Sequence, residues 1–313
     1  MTRGTFIVFA AGALTALIPR ATVAQADTSS VAAVFAPGVI SGPGNDSDPA
    51  FTPDGDTVYF ARNDAIMVSR RAHGVWSSPD IAPFSGRWRD QQPTFAPDGH
   101  SLIFVSNRPI RTDDSMHPAG NLWRVDRHAG RWGEPLHLPE AVNRNNSTWA
   151  PSVSGDGSIY FINAPRTGAP FRLWRSQYHN GQYETAVPVS FGDSTTQDVD
   201  PAVAPDESFI VFGSKHQGAD QHERLFIAFK KQGGWGVPVD LGDVVNGPDD
   251  TNEGRLSPDH RTLYFSSDRT VAIKYPRTLA QATADLTRVA AWDDGNLNIW
   301  SIPLARWLDK PRS

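Results

Sequence analysis

Apolar residues in this chain fall in short, separated bursts, most of them three or four residues long and alternating with polar positions. Val58-Tyr59-Phe60, Leu102-Ile103-Phe104, Ile159-Tyr160-Phe161, Phe209-Ile210-Val211-Phe212 and Leu263-Tyr264-Phe265 are the clearest. Runs this short, rich in β-branched and aromatic residues and bounded by Gly, Pro and Asp, predict strands rather than helices. Each burst follows one recurring phrase. It reads Asp48-Pro49-Ala50-Phe51-Thr52-Pro53-Asp54-Gly55 in its first copy and Gln92-Pro93-Thr94-Phe95-Ala96-Pro97-Asp98-Gly99 in its second. The later copies are Ala150-Pro151-Ser152-Val153-Ser154-Gly155-Asp156-Gly157, Asp200-Pro201-Ala202-Val203-Ala204-Pro205-Asp206-Glu207 and Glu253-Gly254-Arg255-Leu256-Ser257-Pro258-Asp259-His260. Pro pre-sets φ and Gly accepts a positive φ, so the phrase predicts a strand, a tight turn and a second strand.

A third strand follows in every copy, at Ile66-Met67-Val68, Leu122-Trp123-Arg124-Val125, Leu173-Trp174-Arg175, Leu225-Phe226-Ile227-Ala228 and Leu297-Asn298-Ile299-Trp300. A Gly-x-Trp turn and a fourth strand come next, as in Gly74-Val75-Trp76 with Pro79 and Gly130-Arg131-Trp132 with Pro135. Four short strands in a unit of about 50 residues is the pattern of a β-propeller blade. The fold class is therefore all-β, a propeller of five four-stranded blades. A sixth blade without the phrase has little room. The repeat cores fall near 46–62, 90–106, 148–163, 198–214 and 251–267. The fifth copy lacks its fourth strand, and residues 33–41 carry a matching one ahead of the first copy. That N-terminal strand is expected to complete the last blade and close the ring, hiding a sheet edge.

Two segments depart from the pattern. Residues 276–292 interrupt the fifth copy, with Leu279, Ala282, Leu286 and Val289 at helical spacing and Thr278 at the N-cap position. A short amphipathic helix packed on the ring is expected there, as a lid or a plug. Residues 1–26 combine Arg3, an apolar stretch from Phe6 to Ile18 and Ala24-Gln25-Ala26, which together read as a signal peptide cleaved after Ala26. The apolar stretch is too short to span a bilayer. The expected product is one propeller domain over 27–313, periplasmic or secreted, with no membrane span.

Composition narrows the chemistry. The chain has no cysteine, so disulfides, thiolate metal sites and cysteine nucleophiles are excluded. Its formal charge of −5 becomes −7 once the two leader arginines are gone, which argues against nucleic acid as a partner. No G-x-S-x-G, H-E-x-x-H or G-x-x-x-x-G-K-[ST] motif occurs.

The repeated phrases resemble the TolB-type propeller repeat, the Pro-Asp-Gly variant of WD-like repeats. The resemblance covers residues 33–303. The layout is also similar to small exported bacterial propellers of unknown activity, in which a phrase like Phe35-Ala36-Pro37-Gly38 and an ending like Asn298-Ile299-Trp300 recur. The resemblance implies a periplasmic or secreted propeller. TolB itself is the periplasmic partner of an envelope-spanning complex and carries an extra N-terminal domain. This chain has no room for that domain, so TolB's role is not carried over.

In a propeller the first strand of each blade lines the channel, and the residues before it form one mouth. One position ahead of Pro49 and its equivalents stand Asp48, Gln92, Ala150, Asp200 and Glu253. Three positions ahead stand Asp46, Asp90, Thr148, Asp198 and Thr251. Strand alternation would stack these as two rings with six carboxylates. Such a mouth suits a hard cation such as Ca²⁺, a cationic peptide or a glycan. The bland alternative is that the acids bond backbone amides of neighbouring blades. Trp149, which interrupts the acidic tier, and Arg255, which replaces a small residue, are the departures most suggestive of a site. Trp88 and Arg89 lie just before Asp90. Asp113, Asp114 and His117 mark a longer loop, and His216 and His222 flank another. The leading expectation is a scaffold that binds a protein, peptide or glycan at an acidic mouth formed by Asp46, Asp48, Asp90, Gln92, Trp149, Asp198, Asp200, Glu253 and Arg255. The alternative is a carbohydrate-active hydrolase using two of the carboxylates.

Overall fold

The computed structural model describes residues 31–111, 119–144, 147–164, 169–192, 197–214, 223–247 and 250–309. The leader expected over 1–26 lies outside the described residues, as do Asp113, Asp114, His117, His216 and His222.

Five antiparallel sheets follow one another along the chain. Their inner strands are Asp46–Phe51, Asp90–Phe95, Thr148–Val153, Asp198–Val203 and Thr251–Leu256. Their second strands are Thr57–Arg62, Ser101–Ser106, Ile159–Asn163, Phe209–Ser214 and Thr262–Ser267. The third strands are Ala65–Ala72, Asn121–His128, Arg172–Ser176, Arg224–Lys231 and Asn298–Pro303. The outer strand is short and split in most blades, as at Val75–Trp76 and Asp80–Ile81, both of which pair with Ala65–Ala72. Inner strands of successive blades touch, and that of the fifth touches that of the first, so the sheets form a closed five-bladed propeller.

The repeated Asp shapes the hairpin that joins the first two strands. Asp54 Oδ1 accepts from Thr52 Oγ1 at 2.6 Å and from the Asp56 amide at 3.0 Å. Asp98, Asp156, Asp206 and Asp259 accept the equivalent amide in their own copies, at 2.8–3.1 Å. The Thr52 hydroxyl and then the Asp56 amide hold the Asp54 carboxyl below its usual range. The Gly position has φ +71° at Gly55, but Glu207 takes it at +54° in the fourth copy. Glu207 there joins two blades: its Oε1 accepts from Tyr160 Oη at 2.9 Å and Arg175 Nε at 2.8 Å.

Burial is concentrated between blades. Each of five apolar clusters straddles one interface, for example Tyr59, Ile66 and Val68 against Leu102, Phe104 and Trp123. Trp132 Nε1 donates to Tyr59 Oη at 2.9 Å across the same interface. Tyr59→Phe removes that acceptor while leaving the edge-on ring contact. It is expected to cost about 1 kcal/mol, read as a lower urea midpoint at unchanged slope.

The N-terminal segment closes the ring as the sequence predicts. Ala33–Val34 pairs antiparallel with Asn298–Pro303, Val34 facing Trp300. The Phe35 amide donates to Ile299 O at 2.8 Å. Ser41 Oγ then bridges the same residue, donating to Ile299 O at 3.0 Å and accepting from its amide at 3.1 Å. Phe35 seats edge-on among Phe51, Trp76 and Tyr264, with centroids 5.0–5.7 Å away.

A helix occupies Leu279–Ala291. Thr278 caps it, accepting from the Gln281 amide at 3.2 Å, and the Gln281 side chain returns the bond to the Thr278 amide at 2.8 Å. Its orientation differs from the expected apolar stripe. Leu279 and Leu286 are 85% and 65% exposed, whereas Ala282, Asp285 and Val289 are half-buried. Ion pairs set that rotation: Asp285 binds Arg277 at 2.9 Å and Arg288 at 2.8 Å, and Arg288 also binds Asp293 at 2.6 Å. The helix lies beside the N-terminal closure, with the Ala291 methyl against Gly38.

Candidate functional site at the channel axis

Every inner strand breaks its register at the repeated X-Pro or Glu-Gly dipeptide, between Ser47 and Ala50, Gln91 and Thr94, Trp149 and Ser152, Val199 and Ala202, and Asn252 and Arg255. Proline cannot donate to a ladder, so a bulge is accommodated where it stands. The residue ahead of it takes a positive φ in all five copies: 53° at Asp48, 52° at Gln92, 51° at Ala150, 47° at Asp200 and 54° at Glu253. A bulge re-aims its side chain. The two expected rings therefore do not stack by simple alternation.

The tier three positions ahead of the proline turns back onto its own blade. Asp46 is bound by Arg62 Nε at 2.6 Å and by the Gly42 amide at 2.7 Å. Asp90 is bound by Arg108 at 2.8 Å and by Ser85 Oγ at 2.9 Å. Asp198 accepts from Ser214 Oγ at 2.7 Å, Thr148 Oγ1 from Asn163 Nδ2 at 3.0 Å, and Thr251 Oγ1 from Arg269 Nη2 at 3.1 Å. Asp46 and Asp90 are fully buried. In each blade the partner stands at or just after the end of the second strand, so this tier clasps the start of the inner strand. The sequence signal for this clasp is the recurring polar residue at that place, Arg62, Arg108, Asn163, Ser214 and Arg269.

The tier at the bulge gathers on the axis. Asp48, from the first blade, accepts from Arg255 Nη2 of the fifth at 2.6 Å and from Ser47 Oγ at 2.7 Å. Gln92 Oε1 accepts from the Ala150 amide at 2.7 Å, and Asp200 from the Glu253 amide, each reaching the equivalent position of the next blade. Asp48, Asp200 and Glu253 feel one another's charge, and all three feel Arg255. Burial first, and then the Asp48 charge, push Asp200 from 3.8 up to about 6. Burial, followed by Asp48 and Asp200, pushes Glu253 well above its usual range. Burial also raises Asp48, against the pull of Arg255. Glu253 Oε2 and Arg255 Nε have no hydrogen-bond partner among the described residues.

These shifts fix a pH dependence. Asp200 binds its proton more tightly folded than unfolded, so its contribution to stability is full below pH 3.8 and is lost as pH rises through about 6. The Asp200 contribution to the urea midpoint is expected to fall between pH 4 and pH 6, read as the difference in slope between the native chain and Asp200→Asn. An unchanged slope in the variant would rule the assignment out.

The Arg255 guanidinium already supplies positive charge to the three acids, and among the described residues no three His, Asp or Glu side chains are arranged to hold a metal. Trp149 is half-buried between the second and third blades, donating from Nε1 to Ser147 Oγ at 3.3 Å. Trp88 is half-buried under the Arg87 guanidinium, 5.3 Å from its ring. Beyond the bulge the channel opens into a cavity of about 190 Å³ toward the Pro-Asp-Gly turns, walled by all five blades. No helix among the described residues is long and apolar enough to cross a membrane.

No protein-family model and no curated protein sequence matches the chain. Solved structures are similar to it. A protein from Agrobacterium tumefaciens assigned as a TolB aligns over 83% of this chain and 91% of its own, at 13% identity and TM-score 0.50. An α-L-arabinofuranosidase from Lactobacillus brevis aligns over 86% and 92%, at 12% identity and TM-score 0.50. A gluconolactonase from Xanthomonas campestris aligns over 85% and 88%, at 12% identity and TM-score 0.50. At such identities the likeness is one of fold: this chain is a TolB-like five-bladed β-propeller, of an architecture that also carries glycosidases and lactonases.

Proposed function

We propose that the protein is an exported, non-catalytic binding propeller. Its ligand would be a protein segment, peptide or glycan in the periplasm or outside the cell, received at the end of the channel where the inner strands begin. One observation carries the reading: the channel acids are committed to the fold. Asp46 and Asp90 are clasped by arginines, Asp48 by Arg255, and Asp200 by a backbone amide. Glycoside cleavage needs two carboxyl groups free to face a sugar from both sides. At this end the half-buried faces of Trp88 and Trp149 remain for contact.

A glycan and peptide array on the protein, with and without Ca²⁺, tests this. A bound ligand is expected, insensitive to a chelator and weakened about tenfold by Trp88→Ala. Hydrolysis is the second reading, favoured by the raised Glu253 carboxyl, which is poised as a general acid. It predicts turnover of an array glycan that Glu253→Gln abolishes. That result would replace the binding reading.

A further inference from the structure

The helix over Leu279–Ala291 turns an uncharged face to solvent. Leu279, Thr283, Leu286 and Ala290 are exposed, and their spacings of four, three and four residues make the seam of a coiled coil. Beside the seam, a groove walled by Ala280, Ala284, Thr287 and Ala291 runs toward Pro37. Exposed Tyr275 extends the apolar surface beyond the first turn. Thr283 Oγ1 donates to Leu279 O at 3.0 Å and Thr287 Oγ1 to Thr283 O at 2.9 Å. Both hydroxyls are satisfied within the helix, so covering this face would strand no polar side chain. The charges stand on the opposite side, where Asp285 holds Arg277 and Arg288, and Asp293 holds Arg288 again. Those pairs fix the rotation that presents the seam. A contiguous apolar surface held outward in this way marks an interaction site.

The seam is complementary to itself. Large and small residues alternate along it. Laid antiparallel on a second copy, Leu279 meets Ala290 and Leu286 meets Thr283, so every layer holds one large and one small residue. Laid parallel, leucine would meet leucine and the small residues would leave gaps. The antiparallel pairing is two-fold symmetric and closes at two copies. Charge agrees with it. Exposed Lys274, ahead of one helix, comes level with exposed Asp294, beyond the other, and each helix N-terminus lies beside a C-terminus. A bilayer fits less well. Interfacial helices carry free Lys and Arg on the polar face, whereas Arg277 and Arg288 are neutralised here by Asp285 and Asp293.

We propose that the protein self-associates as a two-fold dimer through this helix, with Leu279 against Ala290 and Leu286 against Thr283 of the second copy. The contact is one helix wide, so sedimentation should show a monomer–dimer equilibrium with a Kd of about 10–100 µM. Leu286→Glu, at an exposed position, should weaken it at least about tenfold with thermal unfolding unchanged. The chain has no cysteine, so single cysteines report the register. Oxidising a mixture of Thr283→Cys and Leu286→Cys chains should give mainly the mixed cross-linked dimer, because disulfide geometry is short-ranged. A chain still monomeric at roughly 500 µM, a dimer indifferent to Leu286→Glu, or cross-linking chiefly between like variants would overturn the proposal. So would binding to phosphatidylglycerol vesicles by a chain that stays monomeric, which would give this face to a membrane.

Discussion

Arg255→Leu is expected to lower stability at pH 7 by about 3–5 kcal/mol, the usual cost of removing one partner from a buried ion pair. The reason lies with what stays behind. Asp48 is 1% exposed and would keep only the Ser47 hydroxyl, with Asp200 and Glu253 still beside it. The surviving acids can escape the penalty by taking up protons. The deficit should therefore shrink as pH falls below about 6, where Asp200 already carries its proton. Paired urea titrations of the native and variant chains at pH 5 and pH 8 measure this. Asp48→Asn combined with Arg255→Leu should restore much of the loss, because the stranded charge goes with its partner. Equal deficits at both pH values would mean that the guanidinium contributes packing rather than charge balance.

The second large effect is expected at the ring closure. Phe35→Ala should cost about 3 kcal/mol, since the ring is edge-on to Phe51, Trp76 and Tyr264 and sits where the fifth blade meets the first. Deleting residues up to 36 should do more. It would expose the free edge of Asn298–Pro303 and remove the Phe35 amide bond to Ile299. Thermal unfolding should show a lower midpoint, and hydrogen exchange should rise first in Asn298–Pro303 and Asp46–Phe51. Uniform exchange across all five blades would contradict a weak point localised at the seam.

The five-fold phrase made the propeller legible before any coordinates, because one turn chemistry recurs with its Asp doing the same work each time. The closure was legible too, since a missing outer strand and a surplus one match. The channel was read less well, for a definable reason. Alternation along a strand places Asp46 and Asp48 on one face, but the bulge gives Asp48 a φ of 53° and turns it away from Asp46. Arg255 stood out as a large residue at a small-residue position. Its partner did not, because Asp48 lies 207 residues away and becomes a neighbour only when the ring closes. The helix over Leu279–Ala291 shows the same division. Its cap was readable from Thr278, whereas its rotation depends on where Asp285 finds Arg277 and Arg288.

The pairing of Val34 with Trp300 has a consequence for the order of assembly. Four blades can form as soon as their own strands are made, since each is a run of local hairpins. The fifth cannot be finished until Ala33–Val34 and Asn298–Pro303, more than 260 positions apart, have both been made. Its rate should bear the entropic burden of closing so long a loop, while the hairpins form early and fast. A chain synthesised without residues 298–303 would then hold four ordered blades and one unfinished, adhesive flank, and a nascent molecule would be most prone to aggregate until that strand emerges.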